Sequence, residues 1–247
     1  MKLKIQHFSA VSVRLLLSAV VVATVAFAAT LDESSRSQLR AVRSFQMGFD
    51  GYSGAVDSEI WALAPTTILE NNPNASSDAN NDGGESQVLI RFDGILGSDH
   101  HQVPKGAHIV SAKLYVSAFD QGNTVNLHRM LVPFTKTVTW SSMVDGASAD
   151  GFEAARHKDS FTFGKIAANS STVVFDVTDT VQFWSSGHPN HDWVFINTGG
   201  NGWDFYTGEF EDKKQRPRLV IEFNDTSRKP STPNQPKEAT DHVSTNR

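Results

Sequence analysis

Oxygen-bearing side chains crowd in "DANNDGGES", residues 78–86. Asp78, Asn80 and Asp82 fall on alternate positions and Gly83 follows, which is the opening half of a calcium-loop pattern. The place where an EF-hand needs its bidentate Glu is taken by Leu89, inside an apolar run, so an EF-hand is excluded. The expectation is a loop ahead of the strand "QVLIRFD" whose Asp78, Asn80, Asp82 and Glu85 hold a structural Ca2+ ion. The plain alternative is a solvated turn. Asp50, Asp57 and Glu59 in "FDGYSGAVDSE" make a second oxygen-rich segment.

Signs of catalysis are sparse. Gly51-Tyr52-Ser53-Gly54 lacks the Gly-x-Ser-x-Gly spacing of a nucleophile elbow. The sequence holds no phosphate-binding loop and no His-Glu-x-x-His. His188, His191 and Asp192 in "HPNHD", and His100 and His101 in "GSDHHQVP", read as solvated loops, the first with Pro189 inside it.

The elements that would position these residues are short. "VLIRFD", "HIVSAKLYVSAF", "TVNLHRMLV", "TVVFDVT", "WVFINT" and "RLVIEF" are β-rich runs separated by Gly, Pro, Asn and Asp clusters. In the second run Ala112, Leu114, Val116 and Ala118 face one way, and Ser111, Lys113, Tyr115 and Ser117 the other. One stretch has helical spacing: "DVTDTVQFWSSG", where Val177, Val181 and Trp184 share a face and Gly187 closes it. Many alternating strands and one short helix imply an all-β fold, a jelly-roll β-sandwich.

The ends differ from the middle. Lys2, Lys4 and Arg14 precede or flank the apolar run from Leu15 to Ala29, and Ala26-Phe27-Ala28 is a small-x-small cleavage pattern. Residues 1–28 are therefore expected to be a secretory signal peptide, leaving no membrane span once it is cleaved. Residues 29–43 read as a polar linker, 44–223 as the folded domain and 224–247 as a disordered tail carrying Pro230, Pro233 and Pro236. Losing three of the 22 basic residues with the signal leaves 19 against 27 acidic ones, a net charge of −8. Such a chain is a poor general partner for nucleic acid. With no cysteine, it is held by its core or by bound ions.

The order of motifs "FQMGFDGYSGAVDSEIW", "QVLIRFDGILG", "VPKGAHIVSAKLYV", "LHRMLVPFTKTVTW", "FDVTDTVQFW", "WDFYTGEF" and "RPRLVIEF" resembles the secreted bacterial DNRLRE domain family, which overlaps with alginate-binding carbohydrate-binding modules. The likeness spans residues 45–223. It implies a jelly-roll β-sandwich with no catalytic centre of its own. Members are usually attached to polysaccharide lyases, glycoside hydrolases or metallophosphoesterases, whereas no second domain fits in these 247 residues.

Sugars are bound by aromatic platforms and planar hydrogen-bond donors, and uronates add a need for Arg or Lys. Strand parity puts Gln87, Arg91, Lys113, Tyr115, Asn126 and His128 on an outer face. Trp203 and Tyr206, in "GGNGWDFYTGEF", are candidate loop platforms, with a hydrophobic plug over the end of the sandwich as the alternative reading of that loop. The expected function is a secreted, non-catalytic domain binding an anionic polysaccharide such as alginate. The alternatives are a structural or adhesive surface domain and a polysaccharide lyase using Tyr115, His128 and Arg91.

Overall fold

The computed structural model describes residues 39–162 and 171–225. The expected signal, residues 29–38 and residues 226–247 lie outside them. The elements are β1 (Arg40–Gln46), β2 (Ala55–Trp61), β3 (Asn74–Asn81), β4 (Gly84–Phe92), the two-residue β5 (Leu96–Gly97) and β6 (Val103–Pro104), β7 (Ile109–Asp120), β8 (Val125–Met130), β9 (Ala154–Phe161), β10 (Ser171–Asp176), α1 (Thr178–Ser185), β11 (Trp193–Asn197), β12 (Trp203–Tyr206) and β13 (Arg218–Asn224). The fold is the all-β sandwich with one short helix that the alternation implies.

Two layers form. Sheet A runs β1-β13-β7, with β10 on the other flank of β7 and β12 against its far end. Sheet B runs β2-β4-β11-β8-β9. β3 joins them, pairing first with β12 and then with β4. Between the layers lies a core of inward alternates: Val88, Ile90 and Phe92 from β4, Leu127 from β8 and Trp193 and Phe195 from β11 meet Leu114, Val116, Phe175, Leu219 and Ile221. Phe175 and Phe195 cross from one layer to the other with ring centroids 5.4 Å apart. Each such side chain contributes about 1.5–3 kcal/mol by burial.

The helix follows the same rule. Val177, Val181 and Trp184 are buried in the core, and Trp184 lies 4.8 Å from Trp193. Asp176 Oδ1 accepts the Thr178 N–H at 3.1 Å, and Gly187 ends the segment at φ +102°. β1 takes in Arg40–Arg43, which composition assigns to a linker. Ala41 packs on the core, and the Arg43 guanidinium lies 5.6 Å over Phe223, so an apolar stem replaces an apolar residue at that position.

Sheet B has a second, smaller core on its outside. The long connection from Leu131 to Glu153 lies across it, burying Phe134, Val138, Met143 and Ala147 against Ile60, Leu89, Met130 and Val194. Buried Gln87 pins this strap: its Oε1 accepts the Ala147 N–H at 2.8 Å and its Nε2 donates to the Ala147 carbonyl at 3.1 Å. "VTW" at 138–140 therefore belongs to the strap and not to a strand.

Candidate functional site

The eight expected ligand residues do not share a face. Lys113 and Tyr115 lie on the outer side of sheet A, since Ala112, Leu114 and Val116 point inward from the same strand. Arg218 of β13 is the register partner of Tyr115, and its guanidinium sits 4.7 Å above the ring. Farther along the same face, Phe119 and Tyr206 approach to 4.8 Å, and Tyr206 stacks on Phe210 at 3.7 Å. Arg218, Phe119 and Phe210 are additions that sequence reading missed. Phe119 continues the odd-numbered outward alternation of β7, and Arg218 belongs to the even-numbered outward alternation of β13, so parity could have found both.

Arg91, Asn126 and His128 belong to sheet B. Arg91 is spent: its Nε and Nη2 donate to the Asp93 carboxylate at 2.7 and 2.9 Å, and Nη1 donates to the Phe134 carbonyl on the strap. That pairing with Asp93 raises its pKa, and its guanidinium lies 5.0 Å over the Phe134 ring. His128 is buried, with Nδ1 donating to the Ala155 carbonyl at 2.8 Å, and burial pushes its pKa down. Asn126 Oδ1 accepts from Lys158 Nζ at 3.3 Å. The lyase grouping of Tyr115, His128 and Arg91 is thus divided between two layers. Trp203 is no platform. It is 1% exposed and packs in the core, because on β12 Trp203 and Phe205 turn inward while Asp204 and Tyr206 turn out.

The expected calcium loop is a hairpin. β3 runs through Asn81 and β4 starts at Gly84, with Asp82 at φ +54° and Gly83 at φ +99° between them. Two residues of positive φ are what a type I′ turn requires. Asp78 has other work: Oδ1 accepts the Asn80 N–H at 2.8 Å and Oδ2 the Gly202 N–H at 3.1 Å. Glu85 Oε1 accepts from Gln87 Nε2 at 2.7 Å. Among the described residues, no three His, Cys, Asp or Glu side chains gather as a metal cluster, so Asp78, Asn80, Asp82 and Glu85 are not brought together as one.

Other titratable groups are less solvated than the sequence implies. Asp192 is fully buried at φ +52°, with Oδ2 accepting the Phe92 N–H at 2.9 Å, and burial raises its pKa well above the usual range. His188, by contrast, stays exposed, stacked on Phe183 at 3.6 Å. Glu59 Oε2 accepts the Ser76 N–H at 3.0 Å, and burial lifts its pKa to about 7. Asp57, also buried, is pushed up to about 8, by burial first and then by the neighbouring Glu209. A groove of about 900 Å³ opens between β9 and the start of α1, lined by Arg129, Lys158, Asp159, Asp176, Thr178 and Phe183 among others. Its acids are partly committed: Asp159 accepts from Trp193 Nε1 at 3.1 Å and Asp176 from the Thr178 hydroxyl at 2.6 Å.

Against known proteins, the chain matches no family model and no curated sequence.

Proposed function

We propose that this chain is a secreted, non-catalytic carbohydrate-binding domain that holds an anionic polysaccharide, such as alginate, on the outer face of sheet A. The observation that carries the reading is the row Lys113, Tyr115 and Phe119 on one strand, flanked by Arg218 and Tyr206. Aromatic rings offer flat apolar surface to a sugar face, and Arg and Lys pair with carboxylates. Tyr115 and Phe119 are four residues apart, roughly 13 Å at the rise of a strand, so an extended glycan and not a single sugar spans both. The net charge, −5 for the full chain and −8 without residues 1–28, makes such binding depend on this local pair of cations and not on the field of the whole protein. The resemblance to the DNRLRE family supports the same function.

A second reading, a domain that docks on other proteins of an envelope or matrix, is favoured by Val144 and Phe152, which are 78% and 73% exposed on the strap.

Titration of the purified protein against polyuronates and neutral glucans tests the first reading. Polyuronate binding that weakens with salt, and that falls at least tenfold in Tyr115→Ala and in Arg218→Ala, is expected. Absence of polyuronate binding, or full affinity in both variants, refutes it.

A further inference from the structure

We propose that the groove between β9 and the start of α1 binds a small sugar acid, a molecule of one or two rings that carries a carboxylate among hydroxyl groups. The groove holds about 900 Å³, inside the range of roughly 300–1,000 Å³ in which proteins hold small molecules. Its chemistry turns on Arg129. On β8 this residue has the inward parity of Val125 and Leu127, where the sandwich takes apolar side chains.

Arg129 is unmatched there. Its Nε is buried with no hydrogen-bond partner. The ion pairs among the described residues join Arg40, Arg91 and Lys136 to acids, and none of them reaches Arg129. What holds the guanidinium is a ring: it lies 4.4 Å over Phe183, on which His188 stacks at 3.6 Å. Lys158, on the β9 wall, already donates to Asn126 Oδ1 at 3.3 Å. A guanidinium is a planar fork of donors that takes a carboxylate two bonds at a time. A buried donor left open is also a cost that a bound acceptor removes.

The rest of the lining decides between a bare anion and a sugar acid. Asp159 and Asp179 line the same groove, and they oppose an ion that is charged all round. Carboxylates do accept from hydroxyl groups. Asp159 is held for this: its Oδ2 takes the Trp193 Nε1–H at 3.1 Å, which leaves Oδ1 to a further donor. Asp176 serves the wall itself, since its Oδ1 accepts the N–H and the hydroxyl of Thr178 at 3.1 and 2.6 Å and so fixes the start of α1. Phe161 and Phe183, 36% and 37% exposed, supply apolar surface for the carbon side of a sugar ring. The groove shares no residue with the row on the outer face of sheet A, so the site stands without that reading.

NMR titration of the purified protein with sodium glucuronate tests the proposal, with glucose, sodium acetate and sodium sulfate beside it at matched ionic strength. Saturable binding of glucuronate is expected, with shifts at the Arg129 Nε–H and the Trp193 indole N–H. Glucose, which lacks the carboxylate, and acetate, which lacks the hydroxyls, should each bind at least tenfold more weakly. Arg129→Lys keeps the charge, loses the fork and should weaken glucuronate at least tenfold. Phe183→Ala, at a partly exposed position where folding is safe, removes the ring that holds the guanidinium and should weaken it too. Lys214→Gln, an exposed cation outside the groove, should change nothing. No saturable binding, or full affinity in both groove variants, would show that Arg129 only covers the end of the sandwich, and would overturn the proposal. Acetate or sulfate binding as well as glucuronate would overturn it also, leaving a site for a simple anion.

Discussion

Replacing Gln87 with Ala should loosen the strap from sheet B. In the native chain the Gln87 amide satisfies both backbone groups of Ala147, which is 2% exposed. Truncation leaves a buried N–H and a buried C=O without partners, at about 1–3 kcal/mol each. Glu85 also loses the Gln87 Nε2 bond, but its carboxylate is half-buried and can turn to water at little cost. Water entering the vacated space recovers part of the loss, so about 3 kcal/mol is expected. Urea unfolding should show the midpoint falling at unchanged slope. Hydrogen exchange should show the amides of 131–153 opening first, since the strap is tied down by the small core beneath it and by few ladder bonds. Gln87→Glu, which keeps the shape but puts an acceptor against the Ala147 carbonyl, should cost nearly as much. A Gln87→Ala variant within about 0.5 kcal/mol of wild type, the range of ordinary surface changes, would refute the anchoring argument.

Asp78→Ala should cost about 1–3 kcal/mol in chemical denaturation, since it orphans the Gly202 N–H, while Asp82→Gly, at φ +54°, should be neutral or stabilising; equal losses in both would contradict the hairpin account. Trp203→Ala should destabilise by about 3–5 kcal/mol as a core truncation, whereas Tyr206→Ala should change polyuronate affinity with a far smaller stability effect; the reverse pattern would place the wrong ring in the core. Stability should decline as pH rises. Burial lifts the Asp57 and Glu59 carboxyl groups to about 8 and about 7 from ordinary values of 3.8 and 4.5, so their contribution is full below about pH 4 and lost as pH passes through 7 and 8. Melting temperatures that rise steadily from pH 5 to 8.5 would count against this.

The strands were legible because burial repeats every second residue, and the helix because Val177, Val181 and Trp184 repeat at helical spacing. What parity cannot give is whether the outer side of a strand meets water. Gln87 and Arg91 have outward parity, yet sheet B's outer side is covered by a segment that meets them 60 and 43 residues farther along the chain, and His128 is closed off by Ala155 of β9. β3 was hidden because "NASSDANN" has almost no apolar alternate; its evident mark was the Asp-Gly turn, which the spacing of oxygens masked. The bond from the Gly208 N–H to Asp57 could not be read at all, since nothing local links residues 151 positions apart.

The register of β1 on β13, Arg40 opposite Asn224, also dictates an order of events. A growing or translocating chain presents its first strand long before it makes the last, and β13 is itself what β1 and β7 both hold. Folding is therefore limited by contacts of very long range, the class that forms in milliseconds to seconds and not microseconds. Until β13 arrives, the chain carries two open strand edges that can pair with another copy. A chain cut before Arg218 loses more than β13: β1 has no seat, and one flank of β7 is left bare.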